Sequence, residues 1–517
     1  MALPQYQRPG TQWYVSDGYI WDDHHVSLRR ESGGPRECSS KLFIYNPQSK
    51  PARARVRIFT IDRGPSSFEV QVGPGKVEEV ELAAREEVPH RQSFWIAIES
   101  DLPVLPQARH EDYTFWDPVP DAMVAVTPYP GPLKDETSWI FPDCFQGGAR
   151  SWHERETLSI LNPGKEKVSV KVRYLIRNRD LGGEEEITIP AERVAMLEVW
   201  ERGPKLLGSE NGPAVRVEGD YAVRIDASGP VIAQTTRRAR WRGFAPVIGS
   251  RSTIGFPLRG ESYDLWYYPG GNIVDRGILP RAKESEHPLG QCDNMWNLLF
   301  VNNLEEAKTA KVRATFHKVD GSSSVSDPLP IKPLKSILEC LHGKPWLGAH
   351  TKTSEPFAIT VASDGPVAAE VCCAEFEMWS QVCPGAMTAV NLYPGPLTDE
   401  RTWWLGIGHA GGADDVNLEW EQTYCLFNPG AKAARVTLRF LGLAGGEVTH
   451  ALTLGPGAVA HVRSSEIGGL PMGEAFAVRA EGDQPFCAQV IGRSFTRGLA
   501  HTRGIYSFMG VPMGLEA

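Results

Sequence analysis

Residues 156–180 read ETLSILNPGKEKVSVKVRYLIRNRD. Thr157 to Leu161 is an apolar run and Asn162-Pro163-Gly164 a turn. Beyond the turn, Val168, Val170, Val172 and Tyr174 alternate with Ser169, Lys171 and Arg173. Neighbouring side chains of a strand point to opposite faces, so this alternation predicts an antiparallel strand with one buried and one wet face. The pattern returns at Val56 and Ile58 around Arg57, and at Val436, Leu438 and Phe440 around Arg439. Further strands follow over 186–189 and 194–199, with Pro190 between them. After a long loop come 221–225 and 231–235, joined by the tight turn Ala227-Ser228-Gly229-Pro230. Six to eight short strands punctuated in this way make a β-sandwich.

The unit recurs four times. YPGPLKDETSW begins at Tyr129 and YPGPLTDERTW at Tyr393, an offset of 393 − 129 = 264 residues, which marks a duplicated half. Each half divides again. An asparagine closing an apolar strand precedes an arginine by eleven residues at Asn46/Arg57, Asn162/Arg173, Asn302/Arg313 and Asn428/Arg439. A turn proline follows the asparagine by 28 residues at Pro74, Pro190 and Pro456, and by 31 at Pro333. An aromatic, then a proline nine residues on, then an amide or acid four further, recurs as Phe94/Pro103/Gln107, Tyr221/Pro230/Gln234, Phe357/Pro366/Glu370 and Phe476/Pro485/Gln489. These landmarks set four repeats, 1–127, 128–257, 258–391 and 392–517, each large enough to bury its own core. The expected fold class is all-β: four tandem antiparallel β-sandwich domains forming a pseudo-tetramer with an A-B-A′-B′ arrangement.

Composition narrows the function. Gly 51, Pro 40 and Trp 15 in 517 residues, with no helical period, agree with an all-β chain. The net charge of −9 and scattered basic residues leave no nucleic-acid footprint. No run of eighteen apolar residues and no apolar leader is present, so neither a membrane partner nor a signal peptide is expected. Nine cysteines do not recur with the repeats, which argues against a disulfide framework and places the chain in a reducing cytoplasm.

Residues 156–180, together with VPHRQSFWIAIESDLPVLPQARHED (88–112) and FAVRAEGDQPFCAQVIGRSFTR (476–497), resemble the sensory rhodopsin transducer family. The resemblance implies a small β-sandwich that assembles as a homotetramer, in a superfamily proposed to bind sugars or related metabolites. The third copy departs most, with Asn302-Asn303 for Asn-Pro and Glu370 for the glutamine. Four such domains in one chain imply a covalent pseudo-tetramer, monomeric or further assembled, whose repeats are free to diverge.

Several residue sets are candidate sites. Arg57, Arg173, Arg313 and Arg439 point away from the valine face, and on a common axis four guanidiniums would hold a carboxylate or phosphate. A solvated sheet face is the alternative. Gln107, Arg109 and Glu111, Gln234 and Arg238, and Gln489 and Arg493 offer bidentate donors to a polyhydroxylated ligand, or else pin an edge strand. Glu370, with His110 and Glu111, supplies candidate catalytic groups for a carbohydrate-active lyase or hydrolase. Trp13, Trp139, Trp266 and Trp403 open the repeats and suit either sugar stacking or core packing. Asp22, Asp23, His24 and His25 carry metal-ligand chemistry, but adjacent strand residues diverge, so no metal and no cofactor is expected. Gly406 to Gly411 matches GxGxxG without a βαβ unit and is set aside. The sequence therefore points to an intracellular binder of a sugar, sugar acid or related metabolite. A carbohydrate-active enzyme and a signalling scaffold are the alternatives.

Overall fold

The computed structural model describes residues 10–19, 38–90, 92–113, 120–126, 128–146, 152–176, 183–199, 219–241, 247–258, 263–274, 295–343, 346–376, 384–413, 418–471, 473–496 and 502–513. The chain is built almost entirely of antiparallel strands, and each of the four repeats contributes two sheets. In the second repeat one sheet runs Gly183–Ile189, Val168–Ile176, Gly219–Ala227, Ser138–Gln146, Phe256–Pro257. The other runs Arg193–Glu198, Trp152–Asn162, Ile232–Trp241, Val247–Ile254. The third and fourth repeats keep this core order. In the first, Ser93–Tyr113 runs unbroken through both sheets and joins them.

Four strand types position everything that follows. Opening strands are Gly10–Tyr19, Ser138–Gln146, Leu265–Gly271 and Thr402–His409. Anchor strands, which end at or just before the landmark asparagine, are Cys38–Tyr45, Trp152–Asn162, Met295–Asn303 and Leu418–Phe427. Late strands are the second half of Ser93–Tyr113, then Ile232–Trp241, Val367–Phe376 and Cys487–Thr496. Closing strands are Pro120–Val126, Val247–Ile254, Pro384–Asn391 and Thr502–Met509. The closing strands of the first and third repeats each pack against those of the second and fourth, so all four meet around one axis. After each closing strand the chain crosses to the sheet of the preceding opening strand. There Tyr129–Pro130, Phe256–Pro257, Tyr393–Pro394 and Val511–Pro512 pair with the opening strands.

The YPGPL motif recurs because its acid organises the following turn. Buried Glu136 accepts the backbone N–H groups of Lys134 and Asp135, and Glu400 accepts those of Thr398 and Asp399. The tryptophans are core residues: Trp13, Trp139, Trp266 and Trp403 are fully buried, and the indole of Trp139 donates to the Val231 carbonyl at 3.0 Å. The four apolar cores are not separate. Trp404 and Ile407 of the fourth repeat join the core of the first, and Trp95 of the first joins that of the second. Ile140 and Phe256 of the second join the third, and Tyr267 of the third joins the fourth.

The landmark asparagine ties strand end to turn. Buried Asn162 donates to the carbonyls of Glu166 and Ile189 and accepts from Gly164 N; Asn46 and Asn428 make the same set. In the third repeat the counterpart is Asn303, not Asn302. Asn303 donates to Lys308 and Ile331 and accepts from Glu305 N. Its first acceptor lies five residues on rather than four, so this turn is one residue longer, and the eleven-residue spacing from Asn302 to Arg313 is a coincidence. By register, Arg313 stands opposite Ala362, where Lys171 faces Asp226. Thr315, opposite Thr360, occupies the place of Arg173, opposite Arg224. Asn302 instead reaches across to the Pro142 carbonyl of the second repeat. Replacing Asn303 by alanine leaves several backbone groups without their partner and is expected to cost roughly 2–3 kcal/mol, against about 1 kcal/mol for Asn302→Ala. Urea-unfolding midpoints of the two variants check this order.

Candidate ligand site at the junction of the four repeats

Every opening strand carries a bulge at the same place. The register shifts lie between Val15 and Gly18, between Phe141 and Cys144 (opposite Val223 and Tyr221), between Tyr268 and Gly271, and between Trp404 and Ile407. A bulge leaves a backbone group unpaired, and three late-strand residues, Gln107, Glu370 and Gln489, meet these bulges across the repeat boundaries. Gln107 Oε1 accepts the Ile407 N–H, with Gly406 beside it at φ +79°, a conformation that favours glycine. The Gln489 carboxamide lies so close to Gly270 that a Cβ there would fall 2.5 Å from its oxygen. In the third repeat Glu370 takes the same part, accepting the Asp143 N–H at 3.0 Å. Gln107 thus pins the first repeat to the fourth and Glu370 pins the third to the second, while Gln489 packs the fourth against the third. The glutamines' other ends support the closing strands: Gln234 donates to Ser252 at 2.6 Å and Gln489 to Ser507 at 2.6 Å.

The arginines on the late strands pack between repeats. Arg109 bonds Glu111 at 2.7 Å, lies over the rings of Phe43 and Trp420, and meets His409 at 3.2 Å. Burial, with Arg109 alongside, holds the His409 imidazole well below its usual range. Arg493 bonds Glu375 at 2.7 Å across the boundary of the third and fourth repeats. Arg238 is half-buried on the corresponding face.

The structure does not bring the earlier arginine row together. Arg57, Arg173, Arg313 and Arg439 lie on the strands Ala52–Phe59, Val168–Ile176, Ala310–Lys318 and Ala434–Leu441, none of which pairs with a closing strand. Arg57 pairs with Glu99 and Glu192, Arg173 with Asp226, and Arg439 with Glu447 and Glu481, while Arg313 is exposed. Alternation placed them off the core face correctly, but that face is wet and acid-lined. The three candidate catalytic groups are likewise apart. His110 faces the interior of the first sandwich, Glu111 the boundary with the fourth repeat, and Glu370 the boundary with the second. Asp22, Asp23, His24 and His25 lie outside the described residues.

Glu370 enters a charge cluster inside the second repeat that sequence reading missed. Asp143 binds Arg237 at 2.9 Å and Arg251 at 2.6 Å. Arg237 reaches Glu154 at 3.6 Å, and Arg251 reaches Glu370 at 3.6 Å and Glu156 at 3.9 Å. Tyr221 donates to Glu156 at 2.9 Å. All are buried. Four acids face two arginines, and burial pushes the Glu370 carboxyl up to about 8 and that of Glu154 up to about 7. The signal lay in comparing repeats: by register Arg251 stands where the others have Val124, Thr388 and Tyr506.

Where the closing strands end, a cavity of about 100 Å³ opens on the axis, lined by Pro128 and Tyr129 and by residues 252–256, 389–394 and 507–511. Its polar lining includes Ser252, Asn391 and Ser507, and no charged residue among the described residues borders it. Asn391 donates to the Ile254 carbonyl of the second repeat at 2.7 Å, and its Oδ1 has no hydrogen-bond partner among the described residues. A second cavity of about 480 Å³ lies in the fourth repeat beside Glu419, Trp420, Glu421 and Ser465.

Fold and site together define a tandem-repeat β-sandwich protein with its junction on an internal axis. Residues 9–125 and 135–244 match the profile of the Anabaena sensory rhodopsin transducer family, so the first half of the chain carries two domains similar to that family's. Among solved structures, Thermotoga maritima 1070 is 21% identical, with 24% of this chain and 95% of that chain covered and a TM-score of 0.20. The Anabaena sensory rhodopsin transducer is 19% identical, with 20% and 89% covered and a TM-score of 0.17. No curated protein sequence matches the chain. No helix among the described residues is long and apolar enough to cross a membrane.

Glu154 and Glu370 keep protons in the folded protein that the unfolded chain releases in the ordinary carboxylate range. The stability this gives is fully present below that range and is lost as pH rises towards about 7 and 8. Glu370→Gln, whose carboxamide still accepts from Asp143 N, is expected to flatten this decline. Thermal midpoints between pH 5 and 8 measure it, and an unchanged slope would remove Glu370 as its source.

Proposed function

We propose that the chain is a small-molecule binding protein whose ligand sits in the axial cavity. The observation that carries this reading is the cavity itself. It is concave and mostly apolar, with a few polar groups from several repeats, among them an Asn391 oxygen that lacks a partner. Volume narrows the ligand: an engineered cavity of about 150 Å³ holds benzene, so about 100 Å³ suits a compact molecule of triose size. Charge narrows it again. An anion in a site without a cation would be left uncompensated, so a neutral sugar or polyol fits better than a sugar acid.

A carbohydrate-active enzyme is the second reading, and the larger cavity favours it. Its indole and the Glu419 and Glu421 carboxylates are the residue types that sugar chemistry uses. Turnover of an oligosaccharide that is lost in Glu419→Gln or Glu421→Gln would support that reading over the first.

A thermal-unfolding screen against trioses, small polyols, hexoses and sugar acids tests the proposal. A ligand at a hundred times its dissociation constant stabilises the fold by roughly 2.7 kcal/mol, a readable shift. The expected result is a raised midpoint with small neutral polyhydroxy compounds that disappears in Asn391→Leu and persists in the double variant Arg173→Ala/Arg439→Ala. A shift lost in the arginine variant alone would overturn the axial site.

A further inference from the structure

The inner face of the first sandwich holds a cluster that the axial site does not use. Cys38 stands opposite Asp112 and Ser40 opposite His110, so four side chains form a square on one face of the anchor and late strands. The Cys38 thiol, a His110 ring nitrogen and an Asp112 carboxylate oxygen all lie within 4.8 Å of one another, and all three residues are buried. We propose that these three residues bind a divalent transition metal of the zinc class.

Three features converge on this. His110 Nε2 and Asp112 Oδ1 are 3.2 Å apart, close to the edge of roughly 3.3 Å that nitrogen and oxygen span around a tetrahedral zinc with bonds of about 2.0–2.1 Å. The other ring nitrogen, Nδ1, meets Ser40 Oγ at 3.0 Å, the outer hydrogen bond that fixes tautomer and ring orientation in metal-bound histidines. The charges also suit the interior: a thiolate and a carboxylate neutralise a dication, so the loaded site is electrically balanced away from water. On loading, the thiol S–H bond breaks, a metal–sulfur bond forms and the proton leaves to solvent. The ion takes the place of the proton between His110 Nε2 and Asp112, and that proton passes to Nδ1, which then donates to Ser40 Oγ. Three protein ligands leave a fourth position open, as in reactive rather than purely structural zinc sites.

The set belongs to this repeat alone. At the positions of Cys38, His110 and Asp112 the second repeat has Glu154, Arg237 and Ala239, the third Met295, Cys373 and Glu375, and the fourth Trp420, Gly492 and Ser494. A ligand set confined to one copy is what divergence within a covalent assembly permits.

Cobalt(II) titrated into the full chelator-treated chain tests the site. The expected outcome is one cobalt per chain with a thiolate-to-cobalt charge-transfer band and intense four-coordinate visible bands, both abolished by zinc. Cys38→Ser should remove the charge-transfer band, and His110→Ala should weaken binding at least tenfold, with circular dichroism reporting whether each variant folds. X-ray absorption at the zinc edge of the loaded wild type needs no variant and should find one sulfur among nitrogen and oxygen ligands. Absence of stoichiometric binding, a sulfur-free shell, or unchanged spectra in folded Cys38→Ser would each overturn the proposal.

Discussion

The architecture depends on one buried contact: a late-strand carboxamide or carboxylate reaching into the bulge of the neighbouring repeat's opening strand. A bulge inside a protein interior exposes a backbone N–H that must find a partner, since leaving it unpaired costs about as much as the bond is worth. Gln107 and Glu370 supply that partner from another repeat. The bulge and the side chain therefore specify each other, and with them the angle at which repeats meet. Fused cores follow, because the same docking buries Trp404, Trp95, Ile140 and Tyr267 in their neighbours. So does the axis, since the late strands carry the closing strands beside them.

Covalent linkage lets the junctions differ. Three late strands keep glutamine, whereas the junction of the second and third repeats uses Glu370 and brings it to Asp143, Arg237 and Arg251. Buried ions add little net stability over apolar packing, but removing one partner is costly. The cluster thus suits specificity of pairing more than strength, and in a homotetramer it would have to appear at every junction. The Cys38, His110 and Asp112 set is a second example of the same freedom.

The sandwich was legible because alternation, turn prolines and the buried asparagine are local signals, repeated in order four times. The third copy was misread by one residue, because Asn302 and Asn303 are adjacent and only the longer turn to Lys308 distinguishes them. The arginine row was correctly placed off the core face. Alternation cannot say whether a non-core face meets solvent or another repeat, and Glu99, Asp226 and Glu481 decide that from other strands. The glutamine row was visible as a row, but its role depends on bulges that no single strand announces. Arg237 and Arg251 were missed because a charge on a strand normally marks the wet face, and here it lies inside.

The contact from Gln107 to Ile407 spans 300 residues, and this separation governs how the molecule is made. Strands that pair across long stretches of chain form late. At about 5–20 residues per second of synthesis, roughly 15–60 s pass between completion of the first repeat and emergence of its partner strand. Through that interval Phe43 and Tyr45 lack His409 and Trp404, their aromatic partners in the finished ring. The nascent first repeat therefore carries a sticky flank that only the last repeat covers, which makes the unfinished chain the stage most exposed to aggregation and to chaperone capture.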